Sequence, residues 1–336
     1  MTRNLWQHLV RSLFVLKPAR GSSSLRSGKR ALKNSFRPNL ECLEYRLAPA
    51  MVKPPPPPMV SVSGPATDQE GTAVSFTGNI TDGENAGYHY DWQAVASNGQ
   101  KITDLAGSIS DKANLPSFTF TPDDDGTYTV SLTVTDEFGG TGQQSAVMTA
   151  TNVAPTATIT GMTQPNKLFV LPGDVLSFSG AFTDPGTADG HTVKWDFADG
   201  NSSSSSYGPG GSATFNVNHA FASAGTYIVT LSVTDDDNGL GTSQITVVVQ
   251  SPADATGALI GYVPTLTNLN HGQQNALIST LNAAIDALNR GDNKAAVNQL
   301  DAFENKVSAF GKAGILTQDQ VNVLLSSADS IEIEIG

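Results

Sequence analysis

Gly126-Thr-Tyr-Thr-Val-Ser-Leu-Thr-Val-Thr-Asp136 and Gly225-Thr-Tyr-Ile-Val-Thr-Leu-Ser-Val-Thr-Asp235 are near-copies of one stretch, set one domain length apart. In each copy the apolar residues fall at every second position: Tyr128, Val130, Leu132 and Val134, then Tyr227, Val229, Leu231 and Val233. The residues between them are mostly Thr or Ser. This period of two marks a strand with one buried and one wet face. Its recurrence marks a tandem array, and the expected fold is mainly β: two β-sandwiches in series.

Working outward, Val193, Trp195 and Phe197 alternate inward on a neighbouring strand, and Asp199-Gly200 suits the tight turn that ends it. Leu176 and Phe178, like Val74 and Phe76, supply opposing strands after the turn residues Pro172-Gly173-Asp174 and Glu70-Gly71. Each copy has a Trp and a Tyr for its core and no cysteine pair to staple it.

In the second copy Trp195-Asp-Phe-Ala-Asp-Gly200 is followed by His219-Ala-Phe221 and then by the Gly225 strand, and this ordered set resembles a PKD domain over roughly 156–250, which implies that the two tandem sandwiches are immunoglobulin-like. The first copy, 59–153, is similar but divergent. Asp91-Trp92 leads into a longer connection through Asn98-Gly99, and Phe118-Thr-Phe120 replaces the His-x-aromatic block. The resemblance implies a non-catalytic module, and calcium binding is a property of some members.

After Pro252 helical spacing takes over. Leu277, Leu281, Ile285 and Leu288 form one stripe, Val297, Leu300, Phe303, Val307 and Phe310 a second, and Val321, Leu324, Ala328 and Ile331 a third. Gly291, Asp292 and Thr317-x-x-Gln320 punctuate them as stop, cap and capping box. The expectation is a linker over 251–264 and a small three-helix bundle over 265–336. The run Leu288 to Val307, with its Gly-Asp turn and Ala-Ala helix, resembles a FIMAH-type helical module. Ile331-Glu-Ile-Glu-Ile335 reads equally as a helix end or a short strand.

The net charge of −12 hides a split: residues 1–60 carry about +9 and the remainder about −21. The acidic body argues against nucleic acid as a partner, because phosphate binding needs clustered Lys and Arg. The head, 1–58, is expected to be a basic, largely disordered leader ending in Pro54–Pro58, an extended spacer. Leu5, Leu9, Leu13 and Leu16 allow a basic amphipathic segment in contact with membrane or export machinery. Leu40-Glu41-Cys-Leu43-Glu44-Tyr-Arg46 resembles the L-E-x-L-E-x-R leader motif of exported bacterial surface proteins, which implies export. The single Cys42 leaves the redox compartment open.

The search for chemistry yields absences. His8, His89, His191, His219 and His271 are scattered, and no H-E-x-x-H, G-x-S-x-G or phosphate loop occurs. His219 is expected to pack or hydrogen-bond, and Asp196 and Asp199 to satisfy turn donors. The candidate metal site is Asp235, Asp236 and Asp237 ahead of Asn238-Gly239, with Asp123-Asp-Asp125-Gly126 a weaker counterpart. Such hard oxygen ligands suit calcium, though plain turns use the same residues. No catalytic residue and no other cofactor is assigned. The function expected is a non-catalytic cell-surface or secreted protein contacting extracellular protein or glycan. The alternatives are a mechanical spacer of the envelope or an accessory part of a polysaccharide-acting secreted system.

Overall fold

A computed structural model describes residues 53, 55–81, 87–163 and 167–336. The leader readings at 1–52, including the amphipathic segment and the exported-protein motif, lie outside these residues. Of the expected proline spacer, Pro58 is buried, and its carbonyl lies where a Cβ on Gly142 would stand.

The first sandwich is built from β1 (Met59–Ser63), β2 (Thr67–Gln69), β3 (Val74–Thr81), β4 (Tyr88–Ala96), β5 (Leu105–Ile109), β6 (Phe118–Phe120), β7 (Gly126–Asp136) and β8 (Thr141–Thr151). One sheet runs β1-β3-β6 and the other β2-β8-β7-β4-β5, with β2 parallel to β8. The second sandwich uses β9 (Thr156–Thr163), β10 (Val175–Thr183), β11 (His191–Asp196), β12 (Ser202–Tyr207), β13 (Ser212–Ala220), β14 (Gly225–Asp235) and β15 (Leu240–Val249). Its sheets are β13-β10-β9 and β12-β11-β14-β15.

The two near-identical stretches are β7 and β14, central strands in equivalent places. Tyr128, Val130, Leu132 and Val134 are fully buried, as are Val229, Leu231 and Val233. Trp92 on β4 and Trp195 on β11 stand opposite Leu132 and Leu231 in the same register. Removing a Trp of this size from water contributes roughly 4–6 kcal/mol before entropic costs. In both copies a glycine lets the Trp ring lie against the facing sheet. A Cβ on Gly78 would stand 3.0 Å from Trp92 Cζ2, and one on Gly180 3.0 Å from Trp195 Cζ2. Both copies also close with the same corner: the Tyr128 hydroxyl donates to the Asp124 carbonyl and that of Tyr227 to the Ser223 carbonyl, each at 2.8 Å.

The C-terminal part differs from expectation in one respect. The segment expected to be a linker at 251–264 is helical: α1 (Pro252–Tyr262) starts on a Ser251 cap with Pro at the first turn and buries Ala255 and Leu259. The bundle therefore has four helices rather than three, the others being α2 (His271–Asn289), α3 (Asn293–Lys312) and α4 (Gln318–Ile335). Ile331–Ile335 is the end of α4. The expected capping box at Thr317 and Gln320 is present, and Asn270 with Gln273 forms a second one.

The segment Leu168–Leu171 joins the second sandwich to the bundle. Phe169 and Leu171 lie in the helical core, whereas Val170 belongs to the sandwich core and bridges to Val249. The Leu168 N–H donates to Ser327 Oγ of α4 at 3.3 Å.

Candidate functional site

The acidic clusters that the sequence presents as two separate loops meet at one place, the junction between the sandwiches. From the first sandwich come Glu70, on the turn after β2, and Asp124 and Asp125, before β7. From the second come Asp184 and Asp189, on the loop between β10 and β11, and Asp235, Asp236 and Asp237, on the turn after β14. Antiparallel topology explains the meeting. These turns occupy the end of one sandwich and the start of the next, and only Asn152-Val-Ala-Pro155 separates β8 from β9.

The junction is locked by main-chain and side-chain hydrogen bonds. Ala188 N–H donates to the Asp123 carbonyl at 2.9 Å, and Val153 N–H donates to Glu70 Oε1 at 2.6 Å. Asn152 Nδ2 donates to Asp235 Oδ2 at 3.2 Å. Gly71 has φ of 69°, and a Cβ there would stand 2.5 Å from the Pro185 Cβ, so the close approach requires glycine.

Carboxylate oxygens converge in four overlapping groups, within each of which one oxygen per residue lies within 4.8 Å of the others. These are Glu70, Asp124 and Asp189; Asp184, Asp189 and Asp235; Asp189, Asp236 and Asp237; and Asp124, Asp125 and Asp237. Asp189 belongs to three of the four. Its side chain is fully buried, and neither of its carboxylate oxygens has a hydrogen-bond partner; Glu70, 1% exposed, leaves Oε2 unpartnered. Among the described residues no Lys or Arg pairs with any of these carboxylates.

Electrostatics follow from this crowding. Burial, reinforced by Glu70, Asp124, Asp184 and Asp236, pushes Asp189 up to about 8. Burial pushes Glu70 up to about 7, against the Val153 N–H and with Asp184, Asp124 and Asp125 adding to the rise. Asp123, Asp124 and Asp237 are raised as well, mainly by burial. Two full charges at such separations repel by about 3–4 kcal/mol at an effective dielectric constant of ~20.

The residues named in advance have distinct parts. Asp235 Oδ1 accepts from the N–H groups of Asp237 and Gly239, at 3.0 and 2.6 Å, which is a turn role that Asp136 repeats after β7. Asp236 Oδ1 accepts from Gly190 N–H at 2.9 Å, and Asp237 is exposed. Glu70, Asp184 and Asp189 are the members that sequence reading missed. Asp184-Pro-Gly-Thr-Ala-Asp-Gly190 was the available signal, since it is a turn-rich loop with a carboxylate at each end.

Behind the cluster, His191 Nε2 and Asp184 Oδ2 form a fully buried pair at 2.8 Å, with the imidazole stacked on Phe182 at 4.2 Å. This pair fixes the orientation of Asp184. His219 plays the packing part expected of it: it stacks on Phe197 at 3.8 Å and meets Asp199 at 2.8 Å. Burial pushes Asp199 up, but the Asn201 N–H and His219 outweigh it and hold the carboxyl below the usual range. Asp196 accepts from Ala198 N–H, as a turn residue should. A shallow depression on the second sandwich, lined by Trp195, Ser203, Ser205, Tyr207 and Asn216 among others, has no carboxylate, histidine or lysine on its walls.

Comparison with known proteins agrees with this architecture. Family models described as PKD domain match residues 59–149 and 152–250, and the FIMAH domain model matches 254–332. All of α1 from Asp254 onward thus falls within the FIMAH match. The mouse dyslexia-associated protein KIAA0319-like protein is 26% identical over 208 residues, 58% of this chain, and the chain covers 18% of that relative's length. A tetra-tandem repeat from the extending region of a large adhesion protein is 18% identical, with 57% of this chain and 49% of that one covered and a TM-score of 0.33. The PKD domain of an M14-like peptidase from a Thermoplasmatales archaeon is 22% identical, with 30% of this chain and all of that one covered and a TM-score of 0.24. The chain is a tandem PKD-domain protein, two PKD domains followed by a FIMAH domain.

Proposed function

We propose that this is a non-catalytic, exported protein of the cell surface or extracellular space, whose PKD domains contact a protein or carbohydrate partner. The observation that carries the reading is the character of the accessible second-domain surface. β12, Ser202–Tyr207, pairs on one side only, so a serine-rich strand edge stands beside the depression at Trp195 and Tyr207. Free edge groups and hydroxyls suit hydrogen bonding to an extended peptide or a sugar, and the half-buried Tyr207 ring, with Trp195 buried behind the depression, suits stacking against either. The carboxylates raised by burial sit instead at the domain junction and on helix faces, and none of them lines this depression. PKD domains and the exported-type leader support the surface placement.

The test is retention of the full chain on immobilised cell-envelope polysaccharide and protein fractions. Y207A should weaken retention at least tenfold, while an exposed substitution on the opposite module, D104N, should leave it unchanged. Absence of any retained ligand, or equal retention by Y207A, refutes the reading.

A spacer role is favoured by a separate observation, the short locked junction between the two sandwiches. It predicts no ligand selectivity in the same experiment.

A further inference from the structure

We propose that the junction between the two PKD domains is a calcium site, with Asp189 as the ligand shared by its subsites and with donors from both domains. This goes beyond the contact function proposed above and does not depend on it.

Acidic loops alone do not make a metal site, because Asp and Asn beside Gly are ordinary turn chemistry. Asp235 shows this plainly, with its Oδ1 committed to two turn N–H groups. Asp189 is different. It makes no turn bond and pairs with no cation side chain, and both of its oxygens are buried without a donor among the described residues. Buried polar groups are normally hydrogen-bonded, and an isolated carboxylate is the most unfavourable exception. The Gly186 backbone approaches so closely that a Cβ there would strike this carboxylate, so the loop holds the group in place rather than letting it turn to solvent. Glu70 Oε2, from the other domain, is a second buried oxygen without a donor in the same group. Asn152 Oδ1, on the connecting segment, is a third unpartnered oxygen, and a neutral one.

The donor set selects the ion class. Every ligand is oxygen; no cysteine or histidine nitrogen belongs to the four groups. Calcium takes six to eight such oxygens at about 2.3–2.6 Å, so donors on one ion lie within about 5 Å of each other, as the carboxylate groups here do. Magnesium prefers a strict octahedron that keeps most of its waters, which a carboxylate-rich cage on several turns does not offer. The sharing of Asp189 and Asp237 between groups suits more than one ion. Because Glu70, Asp124 and Asp125 belong to one domain and the remaining carboxylates to the next, occupancy would clamp the domains in one relative orientation.

The experiment is calorimetric titration of the full chain with calcium at 0.15 M KCl, beside wild type with magnesium and the variants D189N, E70Q and D104N. Saturable calcium binding is expected for wild type, weakened at least tenfold by D189N and by E70Q and unchanged by D104N. In chelator D189N should melt no lower than wild type, because it replaces a buried carboxyl whose oxygens have no donor. In calcium the order should reverse, wild type rising by several degrees and D189N staying put. That reversal separates loss of binding from loss of folding. No saturable heat up to 10 mM calcium, or equal affinity in D189N, overturns the site. Unchanged affinity in E70Q confines binding to the second domain and overturns its junctional character. An equal response to magnesium overturns the assignment to calcium.

Discussion

Gly180→Ala is the sharpest probe of how each sandwich seats its tryptophan. The Cβ it adds would stand 2.5 Å from Phe215 Cε2, 3.0 Å from Trp195 Cζ2 and 3.1 Å from Leu231 Cδ2. All three neighbours are buried and packed on other groups, so relief requires ring displacement inside a filled core. Overpacking of this kind costs about 1–3 kcal/mol. Replacing glycine where φ is negative gives back about 0.4–1 kcal/mol through the unfolded chain. The net expectation is a loss of about 1–2 kcal/mol, or roughly 4–16 °C in the midpoint of a domain of this size. Scanning calorimetry of the full chain would read it, with Gly161→Ala as control, since a Cβ on Gly161 meets nothing within 4 Å. Gly78→Ala should do the same to the first sandwich, where Leu132 and Leu115 would lie 2.5 and 2.7 Å from the new atom. A Gly180→Ala midpoint equal to or above that of Gly161→Ala would refute the reasoning.

Other expectations are more local. Gly71→Ala should open the domain junction, seen as at least tenfold faster amide exchange at Ala188 with no change at Val229 in the sandwich core. In the helical module burial, with Glu332 and Asp329, pushes Glu304 up to about 8. A folded pKa above the ordinary 4.5 means stability is full below pH 4.5 and declines as pH rises towards 8. E304Q should flatten that decline and stabilise the module at pH 7.5 by about 1 kcal/mol after allowance for solvent screening, measured by urea unfolding followed at 222 nm. Thr317→Ala removes the α4 cap and should cost ~1 kcal/mol in the same assay.

The sandwiches were legible because their decisive signals are local. Tyr128 and Tyr227, Trp92 and Trp195 sit on strands whose alternation any window of ten residues displays. The α1 helix was missed because Gly257 and Gly261 weaken its propensity and its apolar residues are mostly small. Ala255, Leu259 and Val263 do recur at helical spacing, but the helix is held by burial against its neighbours rather than by its own sequence. The junction was half legible. Asp123–Asp125 and Asp235–Asp237 stand out as runs, whereas Glu70 and Asp189 are single carboxylates whose burial only the stacking of two domains creates. Asp189 shows no periodicity and no run, so nothing in its own neighbourhood distinguishes it from a turn residue.

The two joints of this chain are made of unlike materials. Between the PKD domains the contact is made of hydrogen bonds beside crowded carboxylates, open to adjustment by salt and solute. Between the second PKD domain and the helices, Phe169, Val170 and Leu171 weave one short segment into both interiors, and water has no access to loosen it. Bending forces along the two PKD domains and the helices would therefore be taken up first at the upstream joint, and residues 156–336, a little over half of the chain, would travel as a single stiff arm.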